Sequence, residues 1–263
     1  MQGKVRYALA VLLIGGIAMF AHADNIGFEV SDGFSVGGPW PTGWTPKPSG
    51  VRIGTAWNNG GSQSLEVGLN GAWAWSAIDY RPPTPITAQP GVVTEVSVDI
   101  LVSSAPVPTY YNFVGFGFFM VSDIDGYSAG AVSFSLQDWE YEYEENRADD
   151  FDIQTVDPLN WSGWSATGEY FTPGSSYHFA TLIDWSAGTT TLRLTDLSGS
   201  LVHQATVNSL PNGVATVRFG GPSHDNDSLP TYFDNFYVGD VPEPASVGLL
   251  ALGGLALIRR RRR

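Results

Sequence analysis

Hydrophobic and polar positions between residues 24 and 240 alternate with the two-residue period of β-strands, and helical periodicity is absent there. In 92–102 the even positions are Val, Thr, Val, Val, Ile and Val, whereas Glu95 and Ser97 occupy odd positions. Such a strand buries one face and exposes the other. The segment 112–121 (NFVGFGFFMV) is apolar on both faces, which predicts a strand in the interior of a sheet.

The second half of this region predicts a meander. Its three strands are SYHFATLIDW (176–185), TTLRLTD (190–196) and LVHQATV (201–207), and Gly-containing turns join them. Further strands are expected at 214–219 and 232–238. About a dozen short strands with Gly and Pro clusters between them predict an all-β fold, a two-sheet antiparallel sandwich.

Three proline-rich segments interrupt the strands and are expected to be loops, because proline donates no hydrogen bond in a central strand. They are PWPTGWTPKP (39–48), RPPTPITAQP (81–90) and SSAPVPT (103–109). The chain has no cysteine, so a hydrophobic core rather than disulfides must stabilise the fold. A domain of this length buries enough surface to do so.

The N-terminal residues have the three parts of a secretory signal peptide in the usual order. Lys4 and Arg6 precede an apolar run over 8–20, and Ala21-His22-Ala23 fits a small-x-small cleavage site. Residues 1–23 are therefore predicted to be a signal helix, with Asp24 as the first residue of the mature chain.

The C-terminal residues predict a short transmembrane helix. Residues 245–258 carry no charge, and as a helix these 14 residues would span about 21 Å, less than the ~30 Å hydrocarbon core. Such a helix suits a transient membrane anchor before processing. The arginines at 259–263 would keep the end of the chain in the cytoplasm.

The charge of the region between these two ends is strongly negative. Seven of the 13 basic residues lie in the ends, and of the 26 acidic residues only Glu243 lies outside 24–240. That region therefore holds six basic and 25 acidic residues, a formal charge of −19. Its surface should repel nucleic acid and anionic membranes, and it favours divalent cations and neutral ligands.

The C-terminal tail, Val-Pro-Glu-Pro followed by a Gly/Leu/Ala run and an arginine cluster, closely resembles the PEP-CTERM sorting signal. The resemblance makes Pro242, Glu243 and Pro244 the recognised triplet. It implies processing by an exosortase, a membrane enzyme of Gram-negative bacteria that make exopolysaccharide. The mature protein would then reside in the cell envelope, at the cell surface or in the extracellular matrix. The predicted organisation is a signal peptide (1–23), a β-sandwich domain (24–240) and a sorting signal (241–263).

The domain resembles a concanavalin A-like or laminin-G-like jelly roll. The resemblance lies in NIGFEVSDGF (25–34), GSQSLEVG (61–68), the meander and the closing TYFDNFYVG (231–239). The two ends also resemble smaller carbohydrate-binding jelly rolls. In jelly rolls with such ends a structural calcium ion often joins an acidic residue near the start to the Asp of the last strand. Glu29 and Asp234 occupy those positions here, so the resemblance implies a calcium site at this pair.

One acidic segment raises the question of catalysis. DWEYEYEE (138–145) would place Glu140, Glu142 and Glu144 on one face of a strand. This resembles the Glu-x-Asp-x-Glu of jelly-roll glycosidases that cleave β-glucans, in which the outer glutamates are nucleophile and acid/base, but the central residue departs from that pattern.

The alternative explanation of this segment is a solvated acidic face over an aromatic core face, because strand alternation alone produces the pattern. Carboxylates two residues apart in a strand are also ~6.6 Å apart, more than the ~5 Å of a retaining pair. We therefore favour a protein that is not an enzyme. A glycoside hydrolase that uses Glu140 and Glu144 is the alternative.

The nine tryptophans include four that are expected in loops, where a flat ring can stack on a sugar. Trp161 and Trp164 lie in a Ser/Gly segment, and Trp40 and Trp44 in a Pro/Gly segment. Packing of these rings over the edges of the sandwich is the alternative. The function predicted from the sequence is a structural or adhesive surface protein that binds a neutral exopolysaccharide.

Overall fold

The computed structural model describes most of the sandwich region. The described residues are 23–46, 50–67, 75–89, 91–102, 118–122, 132–137, 151–156, 164–171, 174–208, 210, 213–222 and 231–242. Residues 1–22 of the predicted signal peptide (1–23), the acidic segment 138–150 and the predicted transmembrane helix lie outside these residues. No helix among the described residues has the length and apolar character needed to cross a membrane.

The described part of the chain is almost entirely β-structure, with a single 3-10 turn at Val30–Asp32. The strands are β1 (Ala23–Ile26), β2 (Trp44–Pro46), β3 (Val51–Gly54), β4 (Ser64–Val67), β5 (Trp75–Tyr80), β6 (Val92–Val102), β7 (Phe118–Ser122), β8 (Val132–Gln137), β9 (Phe151–Val156), β10 (Trp164–Phe171), β11 (Ser176–Asp184), β12 (Thr189–Asp196), β13 (Leu201–Val207), β14 (Thr216–Pro222) and β15 (Thr231–Pro242).

These strands form two antiparallel sheets. The eight-stranded sheet has the order β13-β12-β11-β6-β15-β4-β3, and β1 pairs with the end of β15. The seven-stranded sheet has the order β10-β9-β8-β7-β14-β5-β2. Strands distant in sequence are neighbours in both sheets, as crossover connections of a jelly roll require. The predicted two-sheet antiparallel sandwich is confirmed.

The structure confirms the strands that the sequence predicted most clearly. β6 spans the predicted residues, and Val96, Val98 and Ile100 on its even face are fully buried. β11, β12 and β13 pair as the predicted meander. β15 is longer than predicted and continues two residues past the proposed boundary at residue 240.

A bulge in β15 decides which of its side chains enter the core. Phe233 and Phe236 are both fully buried although they are three residues apart. The pairing of β15 with β6 shifts register between Asp234 and Tyr237, and Asn235 has a φ of 48°. The extra residue allows both rings to face inward and leaves Asp234 on the outer face of the sheet.

Trp44 is a core residue and not a loop residue. It begins β2, which pairs with β5 at the edge of the seven-stranded sheet, and its side chain is only 7% exposed. The expectation of a loop at residues 44–46 is therefore wrong. Proline in an edge strand needs no ladder partner, and Pro46 lies in such a strand. The ring of Trp44 packs against Phe28, Phe34, Tyr80, Phe219 and Phe236.

Candidate functional site: an acidic network under the β3–β4 loop

The loop between β3 and β4, residues 55–63, covers part of the outer face of the eight-stranded sheet. Asp99 on β6 and Asp234 on β15 are paired in register, and their neighbours Ile100 and Phe233 are buried in the core. Because side chains alternate along a strand, the two aspartates point outward, toward the loop. They are nevertheless buried, at 6% and 1% exposure, because the loop lies over them.

Asp99 is the centre of a hydrogen-bond network. Its Oδ2 accepts hydrogen bonds from the amide nitrogens of Asn59 and Asn235, each at 2.8 Å. Its Oδ1 lies 2.7 Å from Nδ1 of His178 on β11. Asn235 also donates to the backbone oxygen of Asn59 at 2.7 Å. One carboxylate therefore ties the loop, the β15 bulge and β11 together.

Asp234 holds backbone groups on both sides of the same junction. Its Oδ2 accepts the Asn59 N–H at 2.7 Å, and its Oδ1 accepts the Asn235 N–H at 2.8 Å. A bulge leaves a residue without a ladder partner. The Asp234 side chain supplies the acceptor that the N–H of Asn235 requires at this point.

Glu29 holds the far end of the loop. Its Oε1 accepts the N–H groups of Ser62 and Gln63, at 2.5 and 3.0 Å, and its Oε2 accepts the Ser62 hydroxyl at 2.6 Å. Gly61 has no side chain where it passes Glu29, and a Cβ there would collide with the carboxylate. Gly60 has a φ of 95°, a backbone conformation that glycine adopts without strain.

The three carboxylates titrate differently because their surroundings differ. Burial raises the pKa of Asp99, but hydrogen bonds from His178, Asn235 and Asn59 outweigh it, so that pKa is lowered overall. Hydrogen bonds from Ser62 lower the pKa of Glu29. Burial raises the pKa of Asp234 to about 6, and the nearby charges of Asp99 and Glu29 add to the rise. Glu29 and Asp234, the pair predicted from the sequence, are therefore close enough to repel each other.

The oxygen donors near this pair are of the kinds that could hold a calcium ion. Gln63 is 5% exposed, and its side chain is one of the groups that lower the pKa of the Glu29 carboxyl. The side-chain oxygen of Gln63 is buried without a hydrogen-bond partner. Calcium binds carboxylate, amide and backbone oxygens. No three His, Cys, Asp or Glu side chains in the described residues are placed to bind a metal together, so amide and backbone oxygens would have to complete the coordination.

The raised pKa of Asp234 predicts an unusual pH dependence of stability. A carboxyl whose pKa is higher in the folded state stabilises the fold at low pH, and this contribution is lost as the pH rises through the folded pKa. Without calcium, we expect the free energy of unfolding to fall by about 2 kcal/mol between pH 4.5 and 7 from this group. Urea unfolding in a chelating buffer measures it.

The control for this prediction is Asp234→Asn, which removes the titration and keeps one acceptor oxygen. Its free energy of unfolding should vary less steeply with pH over the same range, by about the same 2 kcal/mol. Asp99 and Glu29 act in the opposite direction, because their lowered pKa values favour the fold above their ordinary titration range. Identical pH profiles for the two proteins would contradict the role of Asp234.

The other residues predicted from the sequence lie elsewhere. Trp40 is half-buried and packs edge-on against Phe34, with ring centroids 6.3 Å apart. Trp44 is in the core, so its ligand-binding prediction loses the exposed loop position on which it depended. Trp164 begins β10. Trp161 lies outside the described residues, as do the candidate catalytic glutamates Glu140, Glu142 and Glu144, and those assignments stay predictions.

The sorting triplet follows the sandwich directly. Pro242 is the last residue of β15 and is paired with Val92 on β6. Glu243 and Pro244 lie outside the described residues. No linker residue therefore separates the triplet from the eight-stranded sheet.

The sequence alone did not reveal Asp99, His178, Asn59 or Asn235 as parts of this site. Asp99 is one of the polar residues that alternate with apolar residues along β6, and this alternation predicts only a solvated face. The available signal was the excess of hydrogen-bonding residues in the two segments that meet, WNNGGSQ (57–63) and FDNF (233–236). Only the strand order, with β15 between β4 and β6, brings these segments together.

Comparison with known protein families identifies the tail. The PEP-CTERM protein-sorting motif matches residues 240–263. The motif implies exosortase processing and an exported protein at the cell envelope or surface, typical of bacteria. The resemblance of the tail is thus confirmed. Comparison with curated proteins gives no match.

Comparison with solved structures identifies the fold as that of legume lectins. Lectin I from Ulex europaeus in complex with the methyl glycoside of α-L-fucose has a TM-score of 0.54 at 13% identity, over 84% of this chain and 98% of that chain. The winged bean acidic lectin complexed with methyl-α-D-galactose has a TM-score of 0.51 at 11% identity, over 84% and 99% of the two chains. The Lotus tetragonolobus seed lectin gives the same TM-score, 0.51, at 11% identity and the same coverage.

Fold and tail together define the class of this protein. It has a concanavalin A-like jelly roll, as the sequence predicted, and its C-terminus carries the signal of an exported protein. In particular, the chain is a jelly-roll protein with a PEP-CTERM sorting motif.

Proposed function

We propose that this exported protein is a carbohydrate-binding, structural or adhesive component of the surface or exopolysaccharide matrix of a Gram-negative bacterium. The observation that carries the proposal is the lectin-type jelly roll on a chain with a sorting motif. Similar structures were solved with a fucoside and a galactoside. The formal charge of −19 over residues 24–240 favours a neutral glycan over an anionic one.

Export would proceed in two stages. The signal peptide (1–23) directs the chain across the membrane, and the helix predicted at 245–258 retains its C-terminus until an exosortase processes the tail. Because Pro242 lies in β15, the enzyme would act next to a folded domain. The glycoside hydrolase that uses Glu140 and Glu144 remains the alternative predicted from the sequence, and both residues lie outside the described part of the chain.

Glycan binding is expected to depend on Trp161 and on Trp164, which begins β10. The exported domain should be retained on immobilised neutral polysaccharides in affinity electrophoresis. A Trp161→Ala/Trp164→Ala variant should bind at least about tenfold more weakly, because aromatic side chains dominate the energetics of binding sites. Trp185→Phe is the matched control, since that indole donates a hydrogen bond to Thr94 within the sheet.

Two outcomes would contradict this assignment. If the unmutated domain is not retained by any neutral polysaccharide, the proposed function is wrong. If the double variant binds as well as the unmutated domain, the function stands, but these two tryptophans do not provide it.

We also propose a structural calcium ion held by Glu29, Asp234 and the side-chain oxygen of Gln63. The ion would supply positive charge where burial and two neighbouring carboxylates raise the pKa of Asp234. It would thereby fix the β3–β4 loop, whose residues Asn59 and Ser62 already donate to the same carboxylates.

Calcium is expected to raise the free energy of unfolding by about 2.7 kcal/mol at a concentration 100 times its dissociation constant. The gain should grow from pH 5 to pH 7, because calcium competes with the proton of Asp234. Thermal unfolding in calcium and in chelator measures both effects.

The matched control is Asp196→Asn. Asp196 also accepts backbone N–H groups, from Ser198 and Ser200, but it lies in the exposed β12–β13 turn. Calcium should stabilise this variant as it does the unmutated domain, whereas Asp234→Asn should lose the effect. An equal response of both variants to calcium would rule out the site.

A further inference from the structure

A row of side chains crosses the outer face of the eight-stranded sheet next to the acidic network, and Arg52 is its most exposed member. The row follows the register of four strands, because Arg52 pairs with Glu66, Glu66 with Tyr232, and Tyr232 with Leu101. The neighbours of these residues along each strand, Ile53, Leu65, Phe233 and Ile100, are in the core. Since side chains alternate along a strand, all members of the row point outward.

Trp57 from the β3–β4 loop lies against this row. Its ring centroid is 6.4 Å from that of Tyr232, and the two ring planes meet at 48°. Both residues are only half-buried. Because neither side chain is fully buried, the pair keeps part of its aromatic surface exposed to solvent.

Arg52 provides hydrogen-bond donors at the end of the row. Its Nε donates to Oε2 of Glu66 at 2.6 Å, and the arginine side chain is 59% exposed while the glutamate is 1% exposed. A guanidinium group has five N–H donors. The buried carboxylate therefore orients the group, and its exposed part can donate to a ligand beside Tyr232.

We infer that Trp57, Tyr232 and Arg52 form a binding subsite for one pyranose ring of a neutral glycan. This inference rests on the proposed function and names a site for it. Sugar rings combine an apolar C–H face with a rim of hydroxyl groups, which match the aromatic pair and the arginine donors. The net charge of the domain disfavours an anionic sugar at the same place.

The acidic network acts on this subsite as a positioning element. Trp57 is two residues from Asn59, which donates to both Asp99 and Asp234. Ser62 in the same loop is held by Glu29. The carboxylates fix the loop from both sides and so fix the tilt of Trp57 over Tyr232. Loss of one anchor should weaken glycan binding without removing any group that contacts the sugar.

The matched variants lie in the same sheet. Trp57→Ala and Arg52→Gln change the subsite. Tyr237→Ala changes another half-buried tyrosine on the outer face of β15, and Arg193→Gln changes an exposed arginine on β12. Affinity electrophoresis and titration calorimetry with dextran, galactomannan and a β-1,3-glucan measure binding. Melting temperatures and circular dichroism verify that each variant is folded.

We expect Trp57→Ala and Arg52→Gln to weaken binding of at least one of these polysaccharides about tenfold, while Tyr237→Ala and Arg193→Gln leave it within twofold. If Trp57→Ala fails to fold, Arg52→Gln decides the question, because the Arg52 side chain is exposed. Unchanged binding in the folded subsite variants overturns the subsite and leaves the proposed function intact. Absence of binding by the unmutated domain overturns both.

Discussion

Replacement of Trp44 by alanine is expected to lower the free energy of unfolding by about 3–5 kcal/mol, the usual range for a buried tryptophan. The ring is 7% exposed and touches aromatic residues that come from both sheets and from the segment after β1. Its centroid lies 5.6 Å from that of Phe219 in a stacked pair and 5.4 Å from that of Phe28 in an edge-on pair. Alanine would leave a cavity where the two sheets meet, and a packed core relaxes only partly around a cavity.

Urea unfolding of Trp44→Ala beside Trp40→Ala tests this assignment. Trp40 is half-buried at the margin of the same cluster, so its replacement should cost less, about 1–2 kcal/mol. Glycan binding by folded Trp44→Ala should match that of the unmutated domain. If Trp44→Ala is as stable as the unmutated protein but binds glycan more weakly, Trp44 is a ligand-binding residue.

Arg218→Met is expected to have a comparable effect, about 3–5 kcal/mol, because it breaks a buried ion pair. Arg218 on β14 and Asp79 on β5 are paired in register, and their side chains are 12% and 4% exposed. Nε donates to Oδ1 at 2.5 Å and Nη2 to Oδ2 at 2.8 Å. Methionine fills much of the volume but leaves the aspartate charge without this guanidinium.

A second variant separates the loss of the pair from the burial of a lone charge. Asp79→Leu/Arg218→Met replaces both charges with apolar groups and should recover much of the stability, since such replacements are often neutral or stabilising. Thermal unfolding of the unmutated, single and double variants measures the coupling. An Arg218→Met protein within about 0.5 kcal/mol of the unmutated one would mean that water screens this pair.

The strands that the sequence predicted best are those with the clearest local patterns. β6 and the meander β11–β13 have strict alternation or clear Gly turns, and both kinds of signal are local. The strand β2 was not predicted, because a proline-rich segment was expected to be a loop. An edge strand, however, accepts proline. The extension of β15 to Pro242 was also not predicted. It depends on pairing with β6, which lies about 140 residues earlier in the chain.

The candidate site was predicted only in part. The resemblance of the two ends to calcium-binding jelly rolls pointed to Glu29 and Asp234, and the charge of Glu29 contributes to the raised pKa of Asp234. Asp99 and His178 were not predicted, because a polar residue on the outer face of a strand ordinarily remains in water. Their role depends on the β3–β4 loop, which covers Asp99 and donates to it.

The sequence by itself determined the sorting signal and the fold class of this protein, because both depend on contiguous stretches of sequence. The Pro-Glu-Pro tail with its arginines is read as a linear motif, and two-residue alternation with frequent turns leaves few folds other than an antiparallel sandwich. Only the tertiary structure decided which polar residues meet. Strand order brings β4, β15 and β6 together, and the bulge at Asn235 turns Asp234 outward beneath the β3–β4 loop. Contacts between residues more than a hundred positions apart follow from packing, which no local pattern encodes.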